Sequence, residues 1–430
     1  MQTVRLDRDI FQTTAPTGVI VLSERVPSVR SAAVGIWVRS ASAHEPRPKM
    51  GVSHLLEHMV FKGTERRSAQ EIALALESRG GSLDAYTSRD TTAFQARVLD
   101  SDLPRALDVL TDLVRNPVLR SSDLELERNV VLEEINTVED TPDDQVYDLC
   151  YRTLWPEHPY GYSILGTRDT VSALSTGDLK QLHGRAYFPA NCVIAAAGNL
   201  THDALLEELG RQGWFDASPG NAVSGNAVSG NAQSATPHPA TVPPAVRGAE
   251  ARHAKDTAQT HIVFATDTVP YADRRKYALL VLGNVFGGGM SSRLFQRIRE
   301  ELGLAYAIYA FTSFYREMGV AGVYVGTQPK TATKAAATIR EEYAKLAREG
   351  LVGDALAEAK QQTQGQLMLS LESPTARMYR LASFPIYGEP YRSLDQVVAE
   401  VAGLTEKEIA DVAAEFFDPE RQTVVWLGKD

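Results

Sequence analysis

The chain is poor in cysteine, with only Cys150 and Cys192 in 430 residues. Two thiols build neither a disulfide framework nor a thiolate zinc site, and their scarcity fits a reducing compartment. No run of 18 apolar residues occurs, so no membrane-spanning helix is expected. Charges interrupt the stretch from Met1 to Ile10, which lacks the apolar core of a secretory signal, and a cytoplasmic protein is the default expectation. No basic stripe with interleaved aromatics is present, and the net charge is −10, so nucleic acid is not an expected partner. The remainder, 43% hydrophobic and 23% charged, suits a globular protein too long for one core, and two or three domains are expected.

Against that background one stretch carries chemistry. Gly51 to Thr64 contains His54-x-x-Glu57-His58. In a helix, positions 54 and 58 lie one turn apart on one face, where two imidazoles can hold one metal ion. Glu57 falls at the rim of that face, within reach of a water on the metal. Leu55, Leu56, Met59, Val60 and Phe61 would pack the helix into a core. The order is the zincin motif read backwards, the inverzincin signature. A lone histidine on such a helix is more often a surface or capping residue; this pattern in an apolar helix favours a metal.

Taken in order, 18–26 and 31–39 read as strands, and 68–79 as a helix ended by Gly80-Gly81. Residues 82–88 and 91–99 read as a hairpin, and 103–114 as a helix stopped by Asn116-Pro117. A long helix then runs from Asp123 to about Asp140. On it Glu127 and Glu134 are two turns apart and lie within about 20° of one another. The neighbouring stripe, Leu124, Val131, Ile135 and Val138, places this pair at the edge of a buried face. Glu125 and Glu133 point away and fit an ordinary solvated face. Residues 191–198 read as a buried strand, followed by a helix from Asp203.

The composition then changes. Gly-Asn-Ala-Val-Ser repeats at 220–229, Gly-Asn-Ala-Gln-Ser follows, and four prolines come by 244. Such a segment cannot pack a core, and 216–256 reads as a flexible low-complexity linker. Beyond it the pattern restarts, with a strand at 260–265, helices at 277–286 and 291–302, a strand at 319–326 and a helix at 331–348. The parallel between the halves predicts an internal duplication, two α+β domains of roughly 200 residues, at 1–215 and 257–430. The second copy lacks the His-x-x-Glu-His motif.

Together these features resemble the pitrilysin family of zinc metallopeptidases, and the two-domain length is closest to its processing-peptidase-like bacterial members. The resemblance covers nearly the whole chain except the linker. Its inverted motif falls on His54, Glu57 and His58, its downstream glutamate ligand on Glu134, and its supporting glutamate on Glu127. Its Arg/Tyr pair, seven residues apart, falls on Arg299 and Tyr306. Its substrate-pairing strand falls on Asp84, Ala85, Tyr86 and Thr87, with Asp84 where relatives often carry Asn. The implied fold is α+β, two homologous domains, each a mainly antiparallel β-sheet packed with helices, forming half of a clamshell.

The resemblance implies a zinc-dependent endopeptidase acting on unfolded peptides. His54, His58 and Glu134 would hold one Zn²⁺ per chain with a fourth position for water, a catalytic rather than a structural arrangement. Manganese or cobalt could substitute. Glu57 would act as general base, Glu127 would orient a histidine, and Arg299 and Tyr306 would hold the substrate carbonyl. A chamber of four domains requires two such chains, and a homodimer with shared sites suffices. Two alternatives stay open, a non-catalytic partner of a processing peptidase or assembly complex, and an active subunit that needs a different chain.

Overall fold

A computed structural model of the chain describes residues 1–216, 241–246 and 248–429. The Gly-Asn-Ala repeats, and most of the expected linker, lie outside the described residues. The last part of that segment does not behave as linker, because Glu250–Ala254 forms a strand.

Seven strands make the first sheet: β1 (Gln2–Asp7), β2 (Ile10–Thr14), β3 (Ile20–Arg25), β4 (Ser31–Val38), β5 (Ser82–Thr87), β6 (Thr92–Leu99) and β7 (Cys192–Gly198). Their order is β1-β2-β3-β7-β4-β6-β5, which leaves β5 at an edge. The pair β3/β7 is parallel and the other neighbours are antiparallel. The second sheet contains β8 (Glu250–Ala254), β9 (Thr260–Thr268), β10 (Ala305–Phe314), β11 (Gly319–Thr327) and β12 (Thr423–Gly428), in the order β10-β11-β9-β12-β8. In chain order β8 to β12 take the same places as β3 to β7, including the parallel pair between first and last. Each sheet is thus mainly antiparallel and packed with helices, as the α+β expectation requires.

The helices that matter for the site are α1 (Val52–Val60), α2 (Ala69–Glu77), α3 (Leu103–Arg115) and α4 (Ser121–Asp140), followed by α5 (Pro142–Leu154). The chain divides into two compact units that are not continuous in sequence. The first holds residues 1–135, the described part of 163–240, and 370–391; the second holds 136–162, the described part of 241–369, and 392 onward. Each unit therefore includes a helix from the other half of the sequence. Helix α5 packs on β9 and β12 of the second sheet, and the helix Pro374–Tyr387 packs on β3, β4 and β7 of the first. These units differ in that respect from the sequence segments 1–215 and 257–430.

The exchange explains why β4 and β7 are apolar at nearly every position. Successive side chains of a strand point to opposite faces. Val34, Ile36, Ile194 and Ala196 face the core that contains α1 and α3. Ala33, Trp37, Val193 and Ala195 face the other way, onto Met378, Leu381, Ala382 and Ile386. Neither face of the central strands meets water.

The helix expected at 291–302 is a π-helical turn at Phe295–Glu301. Strand β10, absent from the sequence reading, pairs with β11 along its length. Among the described residues, no helix is long and apolar enough to cross a membrane.

Candidate metal centre

Helix α1 lies between β4 and β5 in the chain, against the inner face of the sheet. Leu55, Leu56, Met59 and Val60 are fully buried in the core, and this fixes the helix about its axis. Its start is equally constrained. Gly51 has φ +87, and a Cβ there would stand 2.5 Å from the Leu165 carbonyl oxygen, so only glycine fits. The first N–H groups are met by a side chain distant from the motif: Glu45 accepts from Gly51 N at 2.8 Å and from Ser53 N at 2.7 Å.

Glu45 is fully buried, and burial outweighs these bonds and pushes its carboxyl up from 4.5 to about 7. The folded state then binds a proton more tightly than the unfolded chain, so this group's contribution to stability falls as pH rises from 4.5 to about 7. Glu45→Gln should remove that slope. Thermal melts across the window should show the stability difference between variant and wild type changing by about 3 kcal/mol in the variant's favour at the alkaline end. A difference flat with pH would contradict it.

With α1 so held, His54 and His58 project together, ring centroids 4.7 Å apart. Helix α4 buries Leu124, Glu127, Val131 and Ile135, and this brings Glu134 to the same place. His54 Nε2 lies 3.6 Å from Glu134 Oε2, and His58 Nε2 lies 3.5 Å from Oε1. The three side chains are the only His/Cys/Asp/Glu group among the described residues that could hold a metal ion, with one ligand atom from each all within 4.8 Å. Two donors each about 2.1 Å from a tetrahedral ion lie about 3.4 Å apart. The observed spacings match that edge and exceed a good imidazole–carboxylate hydrogen bond, so the residues fit a zinc ion. Burial and the neighbouring His58 lower His54 from 6.5 to about 3, so its lone pair is free at neutral pH. Its Nδ1 is buried with no hydrogen-bond partner.

The carboxylates take distinct positions. Glu57 is buried and accepts from Thr87 Oγ1 at 2.5 Å. Burial raises its pKa, the Thr87 bond and the neighbouring His58 oppose this, and the negative charges of Glu134 and Asp84 add to the rise. Glu127 Oε2 lies 3.1 Å from His58 Nδ1, and its other oxygen lies 2.5 Å from Lys62 Nζ. A carboxylate accepts, so the His58 ring meets Glu127 with a donating Nδ1–H and turns Nε2 to Glu134.

Strand alternation sorts the edge strand β5. Leu83, Ala85 and Thr87 face α1 and the core. Tyr86 faces the other side, where its hydroxyl accepts from Trp37 Nε1 at 3.1 Å, and burial pushes its phenol up to about 12. Asp84 accepts from the Ala85 N–H at 2.9 Å. Arg299 and Tyr306 come together in the second unit. Arg299 Nη1 donates to the Tyr306 carbonyl at 3.1 Å, and its guanidinium lies over the Tyr306 and Phe295 rings, 4.7 Å from each centroid. The Tyr306 side chain is 76% exposed.

Three contacts were not anticipated from sequence: the Glu45 cap, the Thr87–Glu57 bond and the Lys62–Glu127 pair. A signal existed for the last, since Lys62 is four residues beyond His58 and faces the same way.

The family model for insulinase (peptidase family M16) matches residues 20–168, which include His54, Glu57, His58, Glu127 and Glu134. A second model, the peptidase M16 inactive domain, matches 173–363. An uncharacterized zinc protease of Streptomyces coelicolor is 35% identical over 404 residues, covering 94% of this chain and 86% of that protein. This chain belongs to peptidase family M16. The uncharacterized zinc protease YmxG of Bacillus subtilis is also 35% identical, over 94% of this chain and 95% of its own. The fold is shared with a protease from Helicobacter pylori, with TM-score 0.86, 21% identity and coverage of 97% and 99% of the two chains. A peptidase M16 inactive domain from Pseudomonas fluorescens has TM-score 0.87, 18% identity and coverage of 98% and 99%. The model named for an inactive domain matches residues that do not include the histidine motif.

Proposed function

We propose that the protein is a zinc-dependent endopeptidase that cleaves unfolded peptides. The observation that carries the reading is the convergence of His54, His58 and Glu134, with Glu57 beside them on the same helix. A zinc ion bound by these three supplies Lewis-acid activation of water. The remaining steps belong to the chain's own groups. Glu57, aimed by Thr87, takes the proton from the attacking water and returns it to the leaving amine. Glu127 keeps His58 in the tautomer that presents Nε2. The free edge of β5 pairs with the substrate backbone, which gives affinity with little sequence demand. Arg299 and Tyr306 hold the substrate carbonyl and its developing charge.

With the four-domain chamber that the family resemblance implies, the same reading makes the working form a homodimer with shared sites, for which the ligand set and Arg/Tyr pair of one chain type suffice. Mixing Glu57→Gln with Tyr306→Phe under subunit exchange tests it. If each Tyr306 serves its partner's zinc, half the dimers are mixed and each carries one intact site, so about a quarter of wild-type activity should return. No recovery despite verified exchange would place both groups in one chain's site.

A further inference from the structure

Both oxygens of the buried Glu127 are engaged, one by His58 Nδ1 and one by Lys62 Nζ. We infer that Lys62 is a positioning residue of the metal centre: by holding Oε1 of Glu127 it fixes Oε2 on His58, and so aims His58 Nε2 towards Glu134. The inference rests on the reading of His54, His58 and Glu134 as a metal site, and adds a residue to it.

The geometry separates this role from a surface ion pair. The Glu127 side chain is 7% exposed and that of Lys62 35%, so the contact is shielded from water on the carboxylate side. A carboxylate on α4 could turn about its side-chain torsions. Two donors from one short segment, His58 and Lys62, remove that freedom. Lys62 is itself held, since its N–H donates to the Met59 carbonyl at 3.2 Å and its carbonyl accepts from Arg120 Nη1 at 3.4 Å. The ammonium therefore stands on a fixed turn directly after α1. Without it, Oε1 would be left in a buried place with no donor, and the carboxylate would turn to find one at the expense of its bond to His58. Partners that orient a metal-ligating histidine are typically worth about 10–100-fold in metal affinity.

The test uses the full chain, with Zn²⁺ affinity measured by chelator competition and the visible spectrum recorded with Co²⁺ bound. Lys62→Met should weaken zinc binding by about 10–100-fold and alter the Co²⁺ bands, while Lys62→Arg should restore most of both. In a Glu127→Ala background, Lys62→Met should add almost nothing, because Lys62 acts through Glu127. If Lys62→Met fails to fold, Lys62→Gln takes its place in the same cycle. Wild-type affinity and spectrum in Lys62→Met would overturn the inference, as would an equal loss with and without Glu127. Wild-type protein that binds neither ion would overturn the metal reading itself, and the inference with it.

Discussion

Glu57→Gln should leave peptide cleavage about 10²–10⁴-fold below wild type, or lower, with zinc content unchanged. The expectation follows from where Glu57 sits. It is next to His58 in sequence, yet its carboxylate is not one of the three donors that converge. It is held by Thr87 from the edge strand, and glutamine can keep that bond through its amide oxygen. The variant thus preserves shape and ligands and removes only a group able to accept a proton. Turnover of an internally quenched peptide, alongside metal analysis of the same sample, separates the two effects. A zinc-loaded Glu57→Gln enzyme that cleaves at the wild-type rate would show that the base assignment is wrong.

Glu134→Ala should do the opposite. Removing one of three donors should cost more than about 100-fold in zinc affinity, beyond what an orienting residue costs, and activity should fall with metal occupancy. Stability should hardly move. The Glu134 side chain is 39% exposed, and Leu124, Val131 and Ile135 anchor α4 without it, so the metal-free variant should unfold within about 0.5 kcal/mol of metal-free wild type. Chelator competition and denaturant melts check the two halves of the statement. Unchanged zinc affinity would remove Glu134 from the ligand set.

Much of the centre was legible because its parts are periodic. His54 and His58 are one turn apart, and Glu127 and Glu134 are two turns apart, so helical geometry alone places each pair on a common face. The apolar residues between them say which face is buried. The family resemblance joined the pairs into one ligand set; in the structure they are joined by the packing of α1 and α4 on a shared core, which no local pattern reveals. The same limit hid Glu45, a carboxylate in a polar loop that closes on the start of α1. It also hid Thr87, whose direction is set by strand alternation once the register of β5 is known.

The fold was legible in its repeat and less so in its partition. The strand–helix order restarting after the low-complexity segment matches two sheets that share one five-strand topology. The exchanged helices, α5 and Pro374–Tyr387, carry no mark in sequence of which sheet they cover, because an apolar helix face suits either. Strand β10 was missed although Tyr306, Ile308, Tyr309, Phe311, Thr312 and Phe314 are residues that favour a strand.

The central claim is that His54, His58 and Glu134 form a working zinc site. The most direct measurement strips the wild-type protein with chelator, returns zinc in steps, and follows cleavage of a quenched unfolded peptide. The account predicts that activity is lost on stripping and returns linearly until one zinc per chain is bound, then stops rising. Cleavage that persists in the stripped protein, or none at one bound zinc per chain, would contradict it.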